Sequence, residues 1–439
     1  MISQDQALAT ADQWLNPYGL QGPIAPRREV KMHEFDLGWV VWAAPAPMER
    51  DPETGERRPP AEIGNACGVV DRRSGELTVW PSVPVEEVVR MYQQKHGGGT
   101  AAVRPVTGPG NTAVFTYVDP ANGEETSLFK TAAPGLPPVE YQAWAELRRM
   151  NVPEGNVVAI HTDLRPALLP GGYTAQVLNS FPNAQFSCTH EYGARPEERA
   201  QGISGLVQHA ELMAQMAGQQ APPRPQSVPV PAQVAPAEPL RDVAVGRHLT
   251  EVFGADGVRR PDADDIAASR LPEDAKKTLT WAGLPADLPF FFTADRDDAP
   301  PAGGLFADGA AAALAAGTQA DESDVRKLAH FVRIGTDGLY TVMVQVDPSR
   351  RTPDGVGSVW AIDLATVRTR WINSSVAAFD RSLALLASTR ARMQGLDPVT
   401  AGAAVAAFQE QLAAIDAPAL GDPETWWSVV VEQMWHGLF

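Results

Sequence analysis

A proline-rich segment near the middle of the chain most strongly limits how the chain can fold. Residues 221–239, APPRPQSVPVPAQVAPAEP, contain seven prolines and almost no large apolar side chain. Such a segment cannot bury enough surface to form a core, and its prolines favour an extended, semi-rigid conformation. We therefore expect residues 220–240 to be a linker, and the 439 residues to form several domains rather than one.

A second, weaker boundary lies at residues 96–111, HGGGTAAVRPVTGPGN, where glycines and prolines follow a helical pattern. The two boundaries predict three globular domains, at 1–97, 105–219 and 241–439. No repeat of fixed period is present, which argues against a solenoid or a propeller. The chain is therefore expected to be a multidomain protein with both α+β and α/β parts.

The first domain is predicted to be α+β. Ser3 and Gln6 fit a capping box at the start of a helix, and the stretch REVKMHEFDLGWVVWAAP has the composition of a strand. The stretch GVVDRRSGELTVWPS predicts two strands joined by a turn at Ser74 and Gly75. A helix over PVEEVVRMYQQKH follows, so the predicted order is α, β, β, β, α.

The two larger domains differ in pattern. In 105–219, strands alternate with helices after a hairpin at Asn122 and Gly123, which predicts an α/β/α sandwich. In 241–439, two helices precede several strands separated by turn residues, and three helices end the chain, which predicts an α+β domain with an antiparallel sheet. The stretch FFF at 290–292 and the tryptophans of DPETWWSVVVEQMW are expected to be core residues rather than a binding surface.

Composition excludes several classes of function. The formal net charge of −17 repels phosphate backbones, so we expect no nucleic-acid partner. No window approaches eighteen uninterrupted apolar residues and the N-terminus does not resemble a secretory signal, so we expect a cytoplasmic protein without a membrane span. Cys67 and Cys188 match no metal-binding spacing and are expected to be small buried residues.

The central domain carries the pattern that bears on chemistry. Zinc deamination needs one His or Cys ligand and two Cys ligands at neighbouring helix starts, with an unligated Glu that moves protons for the metal-bound water. The stretch PVEYQAWAELRRMNVPEGNVVAIHTDLRPALLPGGYT has that order of elements. It resembles the nucleic acid/nucleotide deaminases of bacterial polymorphic toxin systems.

The resemblance places residues of this chain on the positions of the deaminase site. Pro138 stands at the first ligand, Glu140 at the catalytic glutamate, and Ala167 and Thr174 at the two thiolates. The alignment is supported by a set of matching residues: Trp144, Glu146, Pro166, Pro170, Gly171, Tyr173, Phe181, Pro182, Tyr192 and Gly193. Proline and alanine offer no ligand atom, and a threonine hydroxyl is a poor zinc donor. The resemblance therefore implies a deaminase-like fold without metal, cofactor or catalysis, in which Glu140 is vestigial.

One alternative keeps a metal. His161 and Asp163 share a face of a strand, and with His190 they could form a weak nitrogen and oxygen site. The interpretation that we favour is a surface or sheet-packing histidine beside a helix-capping aspartate, which also suits the start of the following turn.

The flanking domains resemble immunity proteins. The stretches VFGADGVRRPDADDIAASRLPEDAKKTLTWAGLP, SVWAIDLATVRTRWINSSVAAF and WWSVVVEQM are similar to the fourth group of the SUKH superfamily of immunity proteins. EFDLGWVVW and GNACGVVDRRSGELTVWPS are similar to small immunity-type domains of the same toxin loci. Such proteins bind toxin effectors and block them without chemistry of their own, which implies a toxin domain as the protein partner.

Three functions follow from the sequence. The first is a non-enzymatic immunity protein that occludes a toxin, with the acidic residues Asp262, Asp264 and Asp265 steering the partner. The second is an active deaminase with a rearranged site, and the third is a scaffold in a larger assembly. The sequence leaves open the toxin, the interface, the oligomeric state, any residual metal binding, and whether the outer domains bind one partner or two.

Overall fold

The computed structural model forms two compact units, Met1–Val103 and Arg104–Phe439, which are described separately below. It describes residues 2–16, 28–44, 49–50, 57–58, 67–72, 74–81, 83–96, 104–166, 177–231, 233–347 and 355–439. Within these ranges, helices and strands are mixed and form several sheets, so the predicted α+β multidomain fold class is confirmed.

The first unit is a four-stranded antiparallel sheet between two helices. The sheet has the order β1-β2-β5-β6, and β3 pairs with β4 in a separate short ribbon. The elements are α1 (Gln4–Leu15), β1 (Val30–Phe35), β2 (Gly38–Ala43), β3 (Glu49–Arg50), β4 (Arg57–Arg58), β5 (Cys67–Asp71), β6 (Leu77–Trp80) and α2 (Val85–His96). The capping box of Ser3 and Gln6 begins α1 as predicted.

Alternation along the strands divides this unit into two small cores. Trp39 and Val41 pack with Ala7 and Ala11 of α1, whereas Val40 packs on the opposite face with Val88 and Tyr92 of α2. This arrangement follows from the two-residue period of a strand, in which successive side chains point to opposite faces.

The prediction of one strand over residues 28–45 was wrong. The structure forms a hairpin there, with β1 and β2 joined by a turn at Asp36 and Leu37. A Cβ atom at Gly38 would overlap the carbonyl oxygen of Val70 in β5, so only glycine fits the start of β2. The stretch is rich in strand-forming residues on both sides of the turn, which hid the reversal of direction.

The second unit begins with a mixed four-stranded sheet. Its order is β10-β9-β7-β8, with β9 and β10 parallel and the other neighbours antiparallel. The elements are β7 (Thr112–Val118), β8 (Glu125–Thr131), α3 (Val139–Arg149), β9 (Val157–Leu164), β10 (Gln185–His190) and α4 (Pro196–Met216). Helix α3 contacts β7 and β8, and α4 contacts β9 and β10. The hairpin predicted at Asn122 and Gly123 is confirmed.

The remainder of the second unit is built on a six-stranded antiparallel sheet, β13-β14-β15-β16-β17-β18, with β11 and β12 paired beside it. Its helices are α5 (Asp242–Phe253), α6 (Ala263–Ala268), α7 (Glu273–Trp281), α8 (Gly309–Ala315), α9 (Glu322–Leu328), α10 (Val376–Met393), α11 (Pro398–Ile415) and α12 (Trp426–Trp435). Its strands are β11 (Val258–Arg259), β12 (Leu284–Pro285), β13 (Asp287–Leu288), β14 (Phe292–Ala294), β15 (Phe331–Thr336), β16 (Thr341–Gln345), β17 (Val359–Ile362) and β18 (Thr369–Asn373).

The predicted aromatic core residues are buried. Phe290, Phe291 and Phe292 are all buried, which confirms that FFF belongs to the core. The final helix buries its tryptophans as well: the indole nitrogen of Trp426 donates to Asp337 at 2.9 Å and that of Trp427 donates to Asn373 at 2.8 Å. Large rings with satisfied polar atoms explain why this helix packs inward.

The proline-rich segment lies along this part of the unit. It forms no helix in its described residues, and Val228 and Val234 pack against the large core. The amide of Ala237 donates to the carbonyl of Ala414 at 2.7 Å, and the side chain of Gln409 donates to the carbonyl of Val228 at 3.2 Å. The proline-rich segment therefore contacts α11. The domain bounds deduced from the sequence stay a prediction.

In the ranges that the structure describes, no helix has both the length and the apolar character required to cross a membrane. Cys67 is buried as expected, whereas Cys188 is partly exposed with its Sγ 3.8 Å from Glu191, so the expectation for Cys188 was wrong.

Candidate functional site

The candidate site lies at the start of α3, where Pro138 and Glu140 were placed by the deaminase resemblance. Pro138 is the N-cap residue of α3 and makes no side-chain capping bond. Glu140, two residues later, is 2% exposed. A proline N-cap has no side-chain acceptor for the amides of the first turn. The conformation at the start of α3 therefore depends on the residues that contact Glu140.

Asn111 provides most of that surrounding structure. Its amide nitrogen donates to the carbonyl of Leu164 at 2.8 Å and lies 3.5 Å from the carboxylate of Glu140. Its side-chain oxygen accepts from the amides of Leu164 and Thr112, at 2.8 and 2.9 Å. Asn111 thus fixes the start of β7 to the end of β9 beside Glu140. The sequence carries no signal for this role of Asn111, because an asparagine before a strand is typical of an ordinary turn.

The carboxyl of Glu140 is desolvated. Burial raises its pKa to about 7, and a bond to a backbone amide opposes the shift only partly. A carboxyl with such a pKa carries a proton in mildly acidic solution and exchanges it near neutrality, which is the property that acid–base catalysis requires. Desolvation in a core produces the same shift without any catalysis.

The two thiolate positions, Ala167 and Thr174, lie outside the described residues, as do Pro170, Gly171 and Tyr173. The assignment of these residues to ligand positions therefore stays a prediction.

The structure does not gather the alternative metal ligands. The ring nitrogens of His161 bond to Ser187 at 2.9 Å and Thr189 at 3.1 Å, both on β10. Asp163 instead lies 3.6 Å from the ring nitrogen of His209 on α4. The expectation that it caps the following turn stays a prediction, because residues 167–176 lie outside the described part of the chain. Across the described ranges, no group of three or more His, Cys, Asp or Glu side chains could hold a metal ion.

The central sheet and the C-terminal part share one hydrophobic core. Leu164, Tyr192, Ile203 and Leu206 belong to the same buried cluster as the aromatic residues of β14 and α12. Beside Glu140, the ring of Tyr141 packs edge-on against Phe290 with ring centroids 4.8 Å apart. The candidate site is therefore built against the C-terminal part of the unit.

A buried ion pair links the same two parts. The guanidinium of Arg199 on α4 is 1% exposed and bonds to both carboxylate oxygens of Glu432 on α12, at 2.9 and 3.1 Å. The hydroxyl of Tyr192 donates to Glu432 at 3.1 Å, and Arg199 also donates to the carbonyl of Ala194 at 2.7 Å. A charge buried to this degree is stable only while its partner is present.

Backbone contacts complete the junction. The amide of Gly108 donates to the carbonyl of Trp435 at 2.7 Å, and the amide of Gly110 donates to the carbonyl of His436 at 3.1 Å. Gly110 has a φ of 74°, and a Cβ there would lie 2.7 Å from the carbonyl oxygen of Gly437. Because Asn111 follows directly, the residues after α12 lie close to the contact between Asn111 and Glu140.

The acidic residues proposed for steering are partly structural. Asp262 is the N-cap of α6, and its carboxylate accepts from the amide of Asp264 at 2.8 Å. Asp264 and Asp265 are exposed in the first turn of that helix. A partner could therefore bind Asp264 and Asp265 without disturbing the N-cap of α6.

Family models match three separate parts of the chain. Residues 5–98 match the Immunity protein 35-like domain, residues 108–209 match the Xanthomonas-like deaminase, and residues 244–433 match the SUKH-4 immunity protein. No curated protein and no solved structure matches the chain significantly. The architecture expected from the resemblance is confirmed: a deaminase-like domain lies between an Imm35-like domain and a SUKH-4 domain.

Proposed function

We propose that the chain is a non-enzymatic immunity protein that neutralises a protein toxin in the cytoplasm by binding over the active cleft of the toxin. Immunity domains at both ends of the chain support a role in immunity and a protein toxin as the general kind of partner. Occlusion of the cleft is the simplest way for a protein without its own chemistry to block an enzyme.

The observation that carries the non-enzymatic part of this proposal is the residue set at the deaminase positions. Pro138 and Ala167 have no donor atom, and Thr174 offers only a neutral hydroxyl. Glu140 keeps a carboxyl, and among the described residues its side-chain neighbour is Asn111, whose amide nitrogen lies 3.5 Å from the carboxylate. Without a metal-bound water, a glutamate at this position has no nucleophile to deprotonate.

A zinc measurement tests this directly. We expect the purified full chain, dialysed against zinc and then against buffer, to retain well under one zinc per chain and to release no ammonia from cytidine or adenosine. The matched variant P138H/A167C/T174C restores the family's donors and should retain zinc. Stoichiometric zinc in the unaltered chain together with ammonia release would show that the chain is a deaminase.

A second test addresses the partner. We expect the full chain to co-purify from its native host with a toxin domain and to restore growth when that toxin is co-expressed. Protection that requires no added metal supports binding alone. Co-purification with a large set of non-toxin proteins at high native mass, without protection, would instead favour the scaffold alternative.

Charge steering is tested on the same complex. Because Asp264 and Asp265 are exposed and do not cap α6, D264K/D265K should lower the association rate with a basic toxin by about tenfold at low salt and by much less at high salt. The control is E322K/D324K, the same reversal in the first turn of α9. An equal loss in both variants, or an unchanged rate, contradicts steering through α6.

A further inference from the structure

A tryptophan is exposed on the surface of the C-terminal part of the second unit. Trp281, the last residue of α7, is 60% exposed, and Val243 in the first turn of α5 is 53% exposed. A single exposed apolar residue needs no explanation. Tryptophan and arginine, however, are the residues in which the binding energy of protein interfaces is most often concentrated, so the groups around Trp281 decide its role.

Helices α5 and α7 lie side by side and run in the same direction. The hydroxyl of Thr278 on α7 donates to the carboxylate of Asp242 on α5 at 2.8 Å. One turn further along both helices, a Cβ atom at Gly246 would lie only 2.7 Å from the carbonyl oxygen of Trp281. Glycine at this position allows the two helices to approach closely, so the backbone at Trp281 is fixed against α5.

The exposed residues beside this contact lie on one side of the helix pair. In two helices that run in the same direction, positions just after the contacting row of one helix and just before that of the other point to the same side. Val243 and Arg247 follow the contacting residues of α5 by one position, Lys277 precedes that of α7 by one, and Trp281 lies one turn after Lys277. All four are exposed, and they are called the α5/α7 patch below.

The α5/α7 patch and its surroundings are basic, although the chain as a whole carries a formal net charge of −17. Arg247, and Arg241 at the N-cap of α5, are both exposed and form no ion pair with any described residue. Lys277 pairs with Asp274 at 3.3 Å, and this pair is exposed. Two guanidinium groups near the indole are therefore left without a counter-ion among the described residues.

The acidic side chains of α5 have neighbours of their own. Asp242 accepts from Thr278, and Glu251, one turn after Arg247, lies 3.8 Å from a ring nitrogen of His248. The two guanidinium groups thus stay available to a partner.

We propose that the α5/α7 patch binds an acidic segment of a partner protein, with an apolar side chain of that segment packed on Trp281 and its carboxylates bonded to Arg241 and Arg247. Guanidinium groups bind carboxylates through paired N–H donors, and the indole beside them offers a large, rigid apolar surface. A basic partner would be repelled here, so this patch differs from the exposed acids of α6, which suit a basic toxin. Nucleic acid is disfavoured because the net charge of the whole chain repels a phosphate backbone.

Selection of peptides on the folded chain tests this proposal. A phage-displayed library of short random peptides is selected on the immobilised full chain, and the peptides that also bind W281A are removed. Because Trp281 is mostly exposed, W281A should unfold at the same urea concentration as the unaltered chain. The enriched peptides should carry a net negative charge around one aromatic or large aliphatic residue. Enrichment of basic or uncharged peptides, or no enrichment that depends on Trp281, overturns the proposal.

Fluorescence anisotropy with the most enriched peptide separates the two kinds of contact. W281A should weaken binding at least about tenfold at every salt concentration, as expected when a central aromatic anchor is removed. R241E/R247E should weaken binding at least about tenfold at low salt and less at high salt. The controls L314A and R326E change exposed residues on α8 and α9, and both should bind the peptide as the unaltered chain does.

Two other occupants are outcomes of the same set of measurements. Equally tight, W281A-sensitive binding of a labelled single-stranded DNA oligonucleotide would assign the α5/α7 patch to a phosphate backbone. Dimerisation of the full chain in sedimentation equilibrium that W281A abolishes would assign it to a second copy. Either result overturns the proposal, as does a peptide affinity that neither W281A nor R241E/R247E changes. The proposed immunity role is tested separately, because protection from a toxin is measured without the peptide.

Discussion

Replacing Glu432 by alanine is expected to lower the free energy of unfolding of the second unit by about 3 kcal/mol, the lower end of the range for removing one partner of a buried ion pair. Glu432 is 27% exposed, but Arg199 is 1% exposed and would remain as an uncompensated charge. Tyr192 would lose its acceptor as well. Urea unfolding followed by tryptophan fluorescence measures the change, since the tryptophans of α12 lie in the same core.

The control for this variant is E410A. Glu410 is an exposed glutamate on the neighbouring helix α11, and its removal should change the free energy by no more than about 0.5 kcal/mol. The variant R199M tests the same pair from the other side, because it replaces the buried cation by an apolar chain of similar length and leaves the partly exposed Glu432 able to meet water. It should be less destabilising than E432A. A change below about 1 kcal/mol in E432A would show that the ion pair does not hold the two parts together.

The second large effect is expected at Glu140, as a dependence of stability on pH. Its pKa is about 7 in the folded chain against a reference of 4.5. Between these values the unfolded chain loses the proton while the folded chain keeps it, so stability falls as pH rises through this window, by up to about 3 kcal/mol. Below pH 4.5 the carboxyl of Glu140 is protonated in both the folded and the unfolded chain, so its burial does not lower the stability there.

E140Q isolates this effect. The amide is neutral at every pH and keeps the shape of the side chain, so the stability of E140Q relative to the unaltered chain should rise by about 3 kcal/mol from pH 4 to pH 8. The control is E146Q, on the same helix. The hydrogen bond with Arg149 lowers the pKa of Glu146, so the stability that Glu146 contributes is lost as pH falls. The pH dependence of E146Q should therefore have the opposite sign to that of E140Q. A pH-independent difference for E140Q would contradict a desolvated carboxyl at this position.

Much of the fold could be predicted because its signals are local. The capping box at Ser3, the hairpin at Asn122 and Gly123, and the helical spacing of the tryptophans in α12 each depend on a few neighbouring residues. The hairpin between β1 and β2 was missed since Asp36 and Leu37 interrupt a long strand-like run only briefly.

The junction within the second unit could not be predicted. Arg199 lies in the polar stretch PEERAQ, which is typical of an exposed first turn, and its burial depends on Glu432, which is 233 positions away. Asp380 is a second example, because an aspartate in an amphipathic helix is typical of a solvent-facing position, yet it is 0% exposed in α10, a helix that contacts both α5 and α7. Partners that are remote in sequence leave no local pattern.

The core shared by the central sheet and the C-terminal part has an evolutionary consequence. If residues 244–433 alone were exchanged, Leu164, Ile203 and Leu206 would lose apolar neighbours in the shared core. Arg199 would also lose its counter-ion, Glu432. The deaminase-like and SUKH-4 portions are therefore expected to be inherited together, and substitutions at position 199 in related chains should covary with those at position 432.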